Sequence, residues 1–378
     1  MIPVISAGSG ELPVAEARRQ RAVHAFHGGL LFVTVIPYFI LGLQFAGYGG
    51  AELATAMIAF FATGHVPATF YLLTDRRIRR FVIDNRRAMI YLCIAIMVVT
   101  FGVFGFLAAN VGGGAPIIVF FFMLFYTLWQ TWHFAKQNWG VFAFSCICER
   151  RMPALKSEKW AIFGGGIAGL LGVYQAAGTG LKTYYTGNET SWADASFGAL
   201  WYLGLVILAA SMALAVLSLW LRRAEQTALN SAMLLVSTAF FLPYYFTGDF
   251  LVAFVSFTWA HGLQYLLFLL GHAVNRRDAG AKTAPASLRR WGHILGIILY
   301  FALCGFLVRD LIVWATQFGT ATAALLNVQA NYSMILNMVV AFLTGITMVH
   351  FVWDARIWRL RHPESRAWMR ERFSFLFG

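Results

Sequence analysis

Charge is what this sequence has least of. Only 12% of its 378 residues are Asp, Glu, Lys or Arg, about half the share a soluble domain of that length carries. With a mean hydropathy of +0.67, that scarcity excludes a large soluble enzyme. The apolar runs are long enough to cross a bilayer, and they are continuous instead of alternating, which excludes a β-barrel. Cysteine is scarce as well. Cys93, Cys146, Cys148 and Cys304 form no CxxC pair and no CxxCH, so neither a zinc ribbon nor covalently attached haem is encoded, and all four read as small buried side chains. There is no GxSxG for a serine hydrolase. The glycine clusters Gly112–Gly114 and Gly164–Gly166, the latter with Gly165-xxx-Gly169, lack the strand-to-helix context of a phosphate loop and read as sites of close helix approach. No internal repeat of the kind that marks many transporters is visible. Nor does any recognition module accompany the net charge of +13, so nucleic acid is not an expected partner.

What is present is an all-α polytopic membrane protein, with about ten transmembrane helices in one bundle. The apolar runs fall at roughly 24–46, 51–73, 88–109, 115–146, 160–177, 197–221, 228–246, 250–273, 291–314 and 332–355. Residues 1–23 read as an N-terminal tail, without the pattern of a cleavable signal peptide. Residues 24–355 read as the transmembrane domain and 356–378 as a basic C-terminal tail. All but three of the 29 Lys and Arg residues lie in alternate connections and the two tails; the exceptions are Lys136, Lys182 and Arg309. The positive-inside rule therefore puts both termini in the cytoplasm, of a bacterial inner membrane by preference, and an even number of spans agrees. Attraction to anionic lipid headgroups is an added consequence of the basic loops. Asn188-Glu189-Thr190 is formally a glycosylation acceptor, a pattern common by chance.

Chemistry points to one stretch, Thr127 to Gly140, TLWQTWHFAKQNWG. It places Gln130, His133, Lys136, Gln137 and Asn138 inside an apolar run, and Gln130, His133 and Gln137 share one helical face. Polar groups at membrane depth cost several kcal/mol unless paired or facing a cavity, so such a cluster is a functional candidate. Three further runs with the same outside-to-inside direction each carry one histidine in the middle or cytoplasmic half: His65, His261 and His350. Each has a hydrogen-bonding companion nearby in sequence. Thr69 follows His65 by four residues, Gln264 follows His261 by three, and Asp354 follows His350 by four. Four helices thus offer imidazoles at overlapping depth, which is how helical bundles build internal metal sites.

A lone histidine in a span is as readily a helix–helix hydrogen-bonding group as a ligand. Four in one half-membrane are harder to explain that way. His24, His27, His272 and His293 lie nearer the interface, where snorkelling and headgroup contacts suffice, but they are counted with the candidate ligands because a two-metal centre would need them. Asp75, Arg76 and Arg77 read as a solvated interface cluster. Imidazole with carboxylate suits iron, zinc or copper and not calcium or magnesium. The expectation is a metal-dependent oxidoreductase, non-haem with one or two irons, acting on a hydrophobic lipid-like substrate with an external electron donor. Lys136, Gln137 and Asp354 are its candidate catalytic groups. The general layout resembles that of membrane desaturases and hydroxylases. Their HxxxH and HxxHH boxes are absent, however, and the only close pair is His24-xx-His27, so no family membership follows. Three alternatives use the same residues: a haem protein for membrane electron transfer with two axial histidines, a proton-coupled transporter, and a zinc hydrolase.

Overall fold

A computed structural model describes residues 14–47, 64–109, 115–148, 153–185, 191–246, 250–274, 291–307, 329–359 and 362–377. Among them there is no strand. The helices are α1 (Val14–Thr34), α2 (Ile36–Phe45), α3 (His65–Tyr71), α4 (Arg76–Asp84), α5 (Leu92–Ala109), α6 (Ala115–Cys148), α7 (Lys156–Tyr185), α8 (Ser191–Leu221), α9 (Ala228–Thr238) and α10 (Phe250–Val274). α11 (Trp291–Leu307), α12 (Gln329–Ile357) and α13 (Pro363–Arg372) complete the set, with a last turn at Ser374–Phe377. Among the described residues four apolar stretches, Arg19–Phe45, Arg87–Phe106, Gly198–Leu221 and Asn337–Ile357, are long and apolar enough to cross a membrane. They show many large apolar side chains on their outer faces, Phe32, Val98, Val206 and Trp220 among them, as helices in contact with lipid do.

Several runs differ from the expected continuous spans. The first is broken at Val35, because Pro37 in the first turn of α2 has no N–H to donate to the turn before it. The seventh ends as a helix at Thr238 and continues through a 3₁₀ turn, Leu242–Tyr245, built around Pro243. The 11 residues of α9 extend only ~17 Å, short of the ~30 Å hydrocarbon core. The third opens on a π turn, Arg87–Tyr91, before α5. Of the second, the described part is the short α3 and a 3₁₀ turn, Leu72–Thr74. Gly112–Gly114, Asn188-Glu189-Thr190 and Arg309 lie outside the described residues, as does the side chain of Lys182.

Glycines set the closest helix approaches. A Cβ on Gly165 of α7 would stand 1.9 Å from the Thr238 carbonyl oxygen, and one on Gly169 would stand 2.4 Å from the Phe241 ring. Only glycine admits α9 and the turn after it at that distance, so the Gly165-xxx-Gly169 spacing works as the sequence suggests. α12 packs on α3, α5 and α6, and α10 packs on α1, α2 and α3.

The C-terminal segment is not a free tail. Trp368, Met369, Phe373 and Leu376 are buried in the same core cluster as residues of α3, α4, α10, α11 and α12. The segment is fastened by Asp75, which caps α4 by accepting from the Arg77 N–H at 2.9 Å. The Asp75 carboxylate also accepts from Arg372 Nη2 at 2.7 Å, Arg372 Nε at 3.1 Å and the Trp368 indole at 3.2 Å. Asp75 is buried, so it is a structural clasp and not the solvated cluster that its neighbours Arg76 and Arg77 suggest. Arg19 of α1 donates to the Leu376 carbonyl, so both ends of the described chain meet at one end of the bundle.

Candidate metal centre

The four deep histidines come together where α3, α6, α10 and α12 meet. The ring centroids of His65 and His261 are 4.8 Å apart, those of His65 and His350 5.0 Å, and those of His133 and His261 4.9 Å. Asp354 stands one turn beyond His350 on α12, so helical geometry projects its carboxylate along the same face. Its Oδ2 is 3.3 Å from His350 Nε2 and 3.7 Å from His133 Nε2, and His261 Nε2 is 3.5 Å from His350 Nε2. His133, His261, His350 and Asp354 are all buried, and each offers one ligand atom within 4.8 Å of the others.

Those lengths can be compared with a metal site. Ligands about 2.0–2.1 Å from a tetrahedral ion lie about 3.3–3.4 Å from one another. The three edges above are at or slightly above that value, and the whole set lies within 4.8 Å, so closing it on an ion draws its widest-spaced members inwards. Buried atoms of the group also lack partners: His133 Nε2, which faces Asp354, and the second atoms of two other members, His261 Nδ1 and Asp354 Oδ1, make no hydrogen bond. Tyr265 and Trp358 flank the carboxylate without closing a bond on Oδ1. A buried carboxylate without a compensating charge costs several kcal/mol, and a divalent cation supplies that charge.

Around the group lie residues that hold it in place. Thr69 Oγ1 is 2.5 Å from His350 Nδ1. The companion that sequence spacing gives to His65 therefore serves His350 from across the helix interface. Gln264 likewise turns from His261 into a network. Its amide donates to Thr34 Oγ1 at 2.8 Å and to Asn138 Oδ1 at 3.2 Å, and its oxygen accepts from Gln137 Nε2 at 2.8 Å. Gln137 also donates to the His261 backbone carbonyl at 3.2 Å, which makes it a positioning residue for the helix turn that carries that ligand. Gln130 donates to Thr258 at 3.4 Å. The ring of Phe351 stacks on His133 at 4.3 Å, and that of Phe134 lies 4.7 Å from His261.

The remaining candidates lie elsewhere. Lys136 is exposed on the outside of α6 with its ammonium over the Trp132 ring, because it is one residue off the face that His133 and Gln137 share. His24 is exposed, with Nδ1 2.8 Å from the Gln20 carbonyl. His27 is buried against Phe26, His272 is buried beside Trp368, and His293 is half-buried on α11. None of these five belongs to the metal-capable group found among the described residues, and neither does His65, whose ring packs against His261 and His350 beside it. Tyr265, whose ring is 5.4 Å from that of His350, and Trp358 carry no sequence signal that sets them apart from the many other aromatics.

Fold and site together define a class: a protein helical throughout its described residues, with long apolar helices and a buried histidine–carboxylate group able to hold a metal ion. No family model matches this chain, and no curated protein or solved structure is detectably similar to it.

Proposed function

We propose that this protein is an integral membrane, metal-dependent oxidoreductase, with non-haem iron held by His133, His261, His350 and Asp354, acting on a lipid-like hydrophobic substrate. The ten-span arrangement with both termini cytoplasmic belongs to the same proposal. The observation that carries it is the convergence of three buried imidazoles and one buried carboxylate, from three helices, within 4.8 Å of one another, with His133 Nε2 left without a hydrogen-bonding partner. A buried set of nitrogens and one carboxylate oxygen suits iron or zinc. Iron bound there supplies redox chemistry with dioxygen as oxidant, drawing electrons from an external donor where the reaction requires them.

The chain's own residues do the rest. With His350 Nε2 turned to the metal position, Nδ1 is the protonated nitrogen and donates to Thr69 Oγ1, which fixes the ring's rotation and tautomer. Phe134 and Phe351 wall the imidazoles and keep water from them. A line of rings leads from the outer surface inwards. Phe125, 54% exposed, contacts Trp129 at 5.6 Å, Trp129 contacts Phe351 at 5.9 Å, and Phe351 stacks on His133. The apolar character of everything between the outer surface and His133 on this side supports the choice of a hydrophobic substrate.

Haem fits less well. A porphyrin plane must pass between two axial imidazoles, and here every pair of rings has a third within 5.8 Å of it. Three imidazoles and one carboxylate are also a zinc donor set, which makes zinc hydrolysis the second reading. The test is iron, zinc and copper per chain in detergent-purified protein, with an absorption spectrum of the same sample. One or two irons without a Soret band support the proposal. Zinc alone supports the hydrolase, a Soret band supports electron transfer, and no metal after iron-replete expression refutes all three.

A further inference from the structure

The histidine site leaves one prominent residue unused. Lys136 lies inside an apolar helix, yet it faces outward. Gly166 of α7 meets Ala135 of α6 so closely that a Cβ on it would stand 2.5 Å from the alanine methyl, which fixes the register of the two helices. At ~1.5 Å per residue, Lys136 is then ~9 Å deeper along the bundle than Lys159, in the first turn of α7. The two lysines flank one continuous aromatic shelf. The Lys136 ammonium is 5.6 Å from the Trp132 ring and that of Lys159 is 5.4 Å from the Phe163 ring. Trp132 and Phe163 stack on each other at 5.2 Å, and Trp139 and Trp160 pack against Phe163 at 6.3 and 6.5 Å. Trp160 is 61% exposed. At the end of the adjoining α8, exposed Arg223 in the following turn sits over Trp220, itself 60% exposed, at 5.2 Å. Neither lysine forms an ion pair among the described residues.

We propose that this face of α6 and α7 is a binding site for an anionic phospholipid, with Lys136 and Lys159 holding its phosphate group and the Trp132–Phe163–Trp160 shelf seating its glycerol and upper acyl chain. A lysine below the rim of an apolar bundle needs a counter-charge that approaches from the lipid side, and in a bilayer that group is a phosphate. Tryptophan belongs at the same depth, with an apolar body and a polar edge. The proposal is independent of any metal at the histidines.

Native mass spectrometry of the full-length protein, titrated with dioleoylphosphatidylglycerol and separately with dioleoylphosphatidylcholine, tests it. The expected result is a preference for the glycerol lipid on the order of tenfold, falling towards parity in K136Q/K159Q. The R86Q/R87Q variant removes the same charge from exposed positions elsewhere and should keep the preference. Excess inorganic phosphate should leave the lipid bound. A preference that survives in K136Q/K159Q, or that is lost equally in R86Q/R87Q, overturns the assignment. Displacement by inorganic phosphate would make this a soluble-anion site and would also overturn it.

Discussion

Replacing Asp354 by Asn separates a metal ligand from an ordinary buried polar group, because the two cases predict opposite signs in the metal-free protein. Asn keeps the shape of the side chain and removes its charge. The carboxylate is 6% exposed at the side chain and sits 3.3 and 3.7 Å from two imidazole nitrogens, with Oδ1 unbonded. If it is a ligand, the metal-loaded protein loses a charged donor. Altering a residue that only supports a ligand costs about 10–100-fold in affinity, so losing the ligand itself should cost more than about 100-fold, or more than about 2.7 kcal/mol. In the metal-free protein the same change puts a neutral amide of the same shape where no metal contact is lost, so stability should stay level or rise. The assay is thermal unfolding of wild type and Asp354→Asn, each with and without chelator, beside the metal content of both. A wild type stabilised by metal and a variant indifferent to it, with the metal-free variant at least as stable as metal-free wild type, is the expected result. Equal destabilisation with and without chelator would show that Asp354 is a structural hydrogen-bonding group, and the metal assignment would fall with it.

Three further outcomes follow from the same geometry. His133→Ala, His261→Ala and His350→Ala should each lose metal and activity while still inserting and purifying as monodisperse protein, whereas Lys136→Gln should keep both; metal retained in all three histidine variants would refute the site. Gly165→Ala drives a methyl into the Thr238 backbone carbonyl, which cannot swing aside as a side chain can, and should cost at least the roughly 1–3 kcal/mol typical of overpacking. Gly28→Ala, with open space around it, should change the unfolding temperature little. For Asp75, burial alone would raise the carboxyl, but the Arg77 N–H, the Arg372 guanidinium and the Trp368 indole outweigh it and hold its pKa below the ordinary value of 3.8. The clasp therefore contributes fully above that value and is lost as pH falls through the lowered one. Asp75→Asn should release α13 at neutral pH, seen as faster protease cleavage near residues 359–362, and a cleavage rate equal to wild type would refute the clasp.

How much of this was legible in advance depends on what each signal measures. Hydropathy reports the apolar character of a run and not its backbone, so residues 228–246 read as one span although Pro243 breaks the helix and α9 stops at Thr238. The four deep histidines were legible because an imidazole inside an apolar run is costly; the structure brings their rings together, three of them with Asp354 in the metal-capable group and His65 beside it. Their partners were not, since spacing along a helix sees only one helix. It gave Thr69 to His65 and Gln264 to His261, while the bonds run across interfaces to His350, Gln137 and Thr34. Asp354 is the exception: its partner His350 lies four residues away on the same helix, so sequence and structure agree on the pair. Lys136 marks the opposite limit. One residue, or 100° of rotation, separates it from Gln137, and that rotation turns it from the histidines to the Trp132 ring. The polar content of a buried helix thus indicates that a site exists, but which polar residues belong to it is decided by helix rotation and by what the neighbouring helices present.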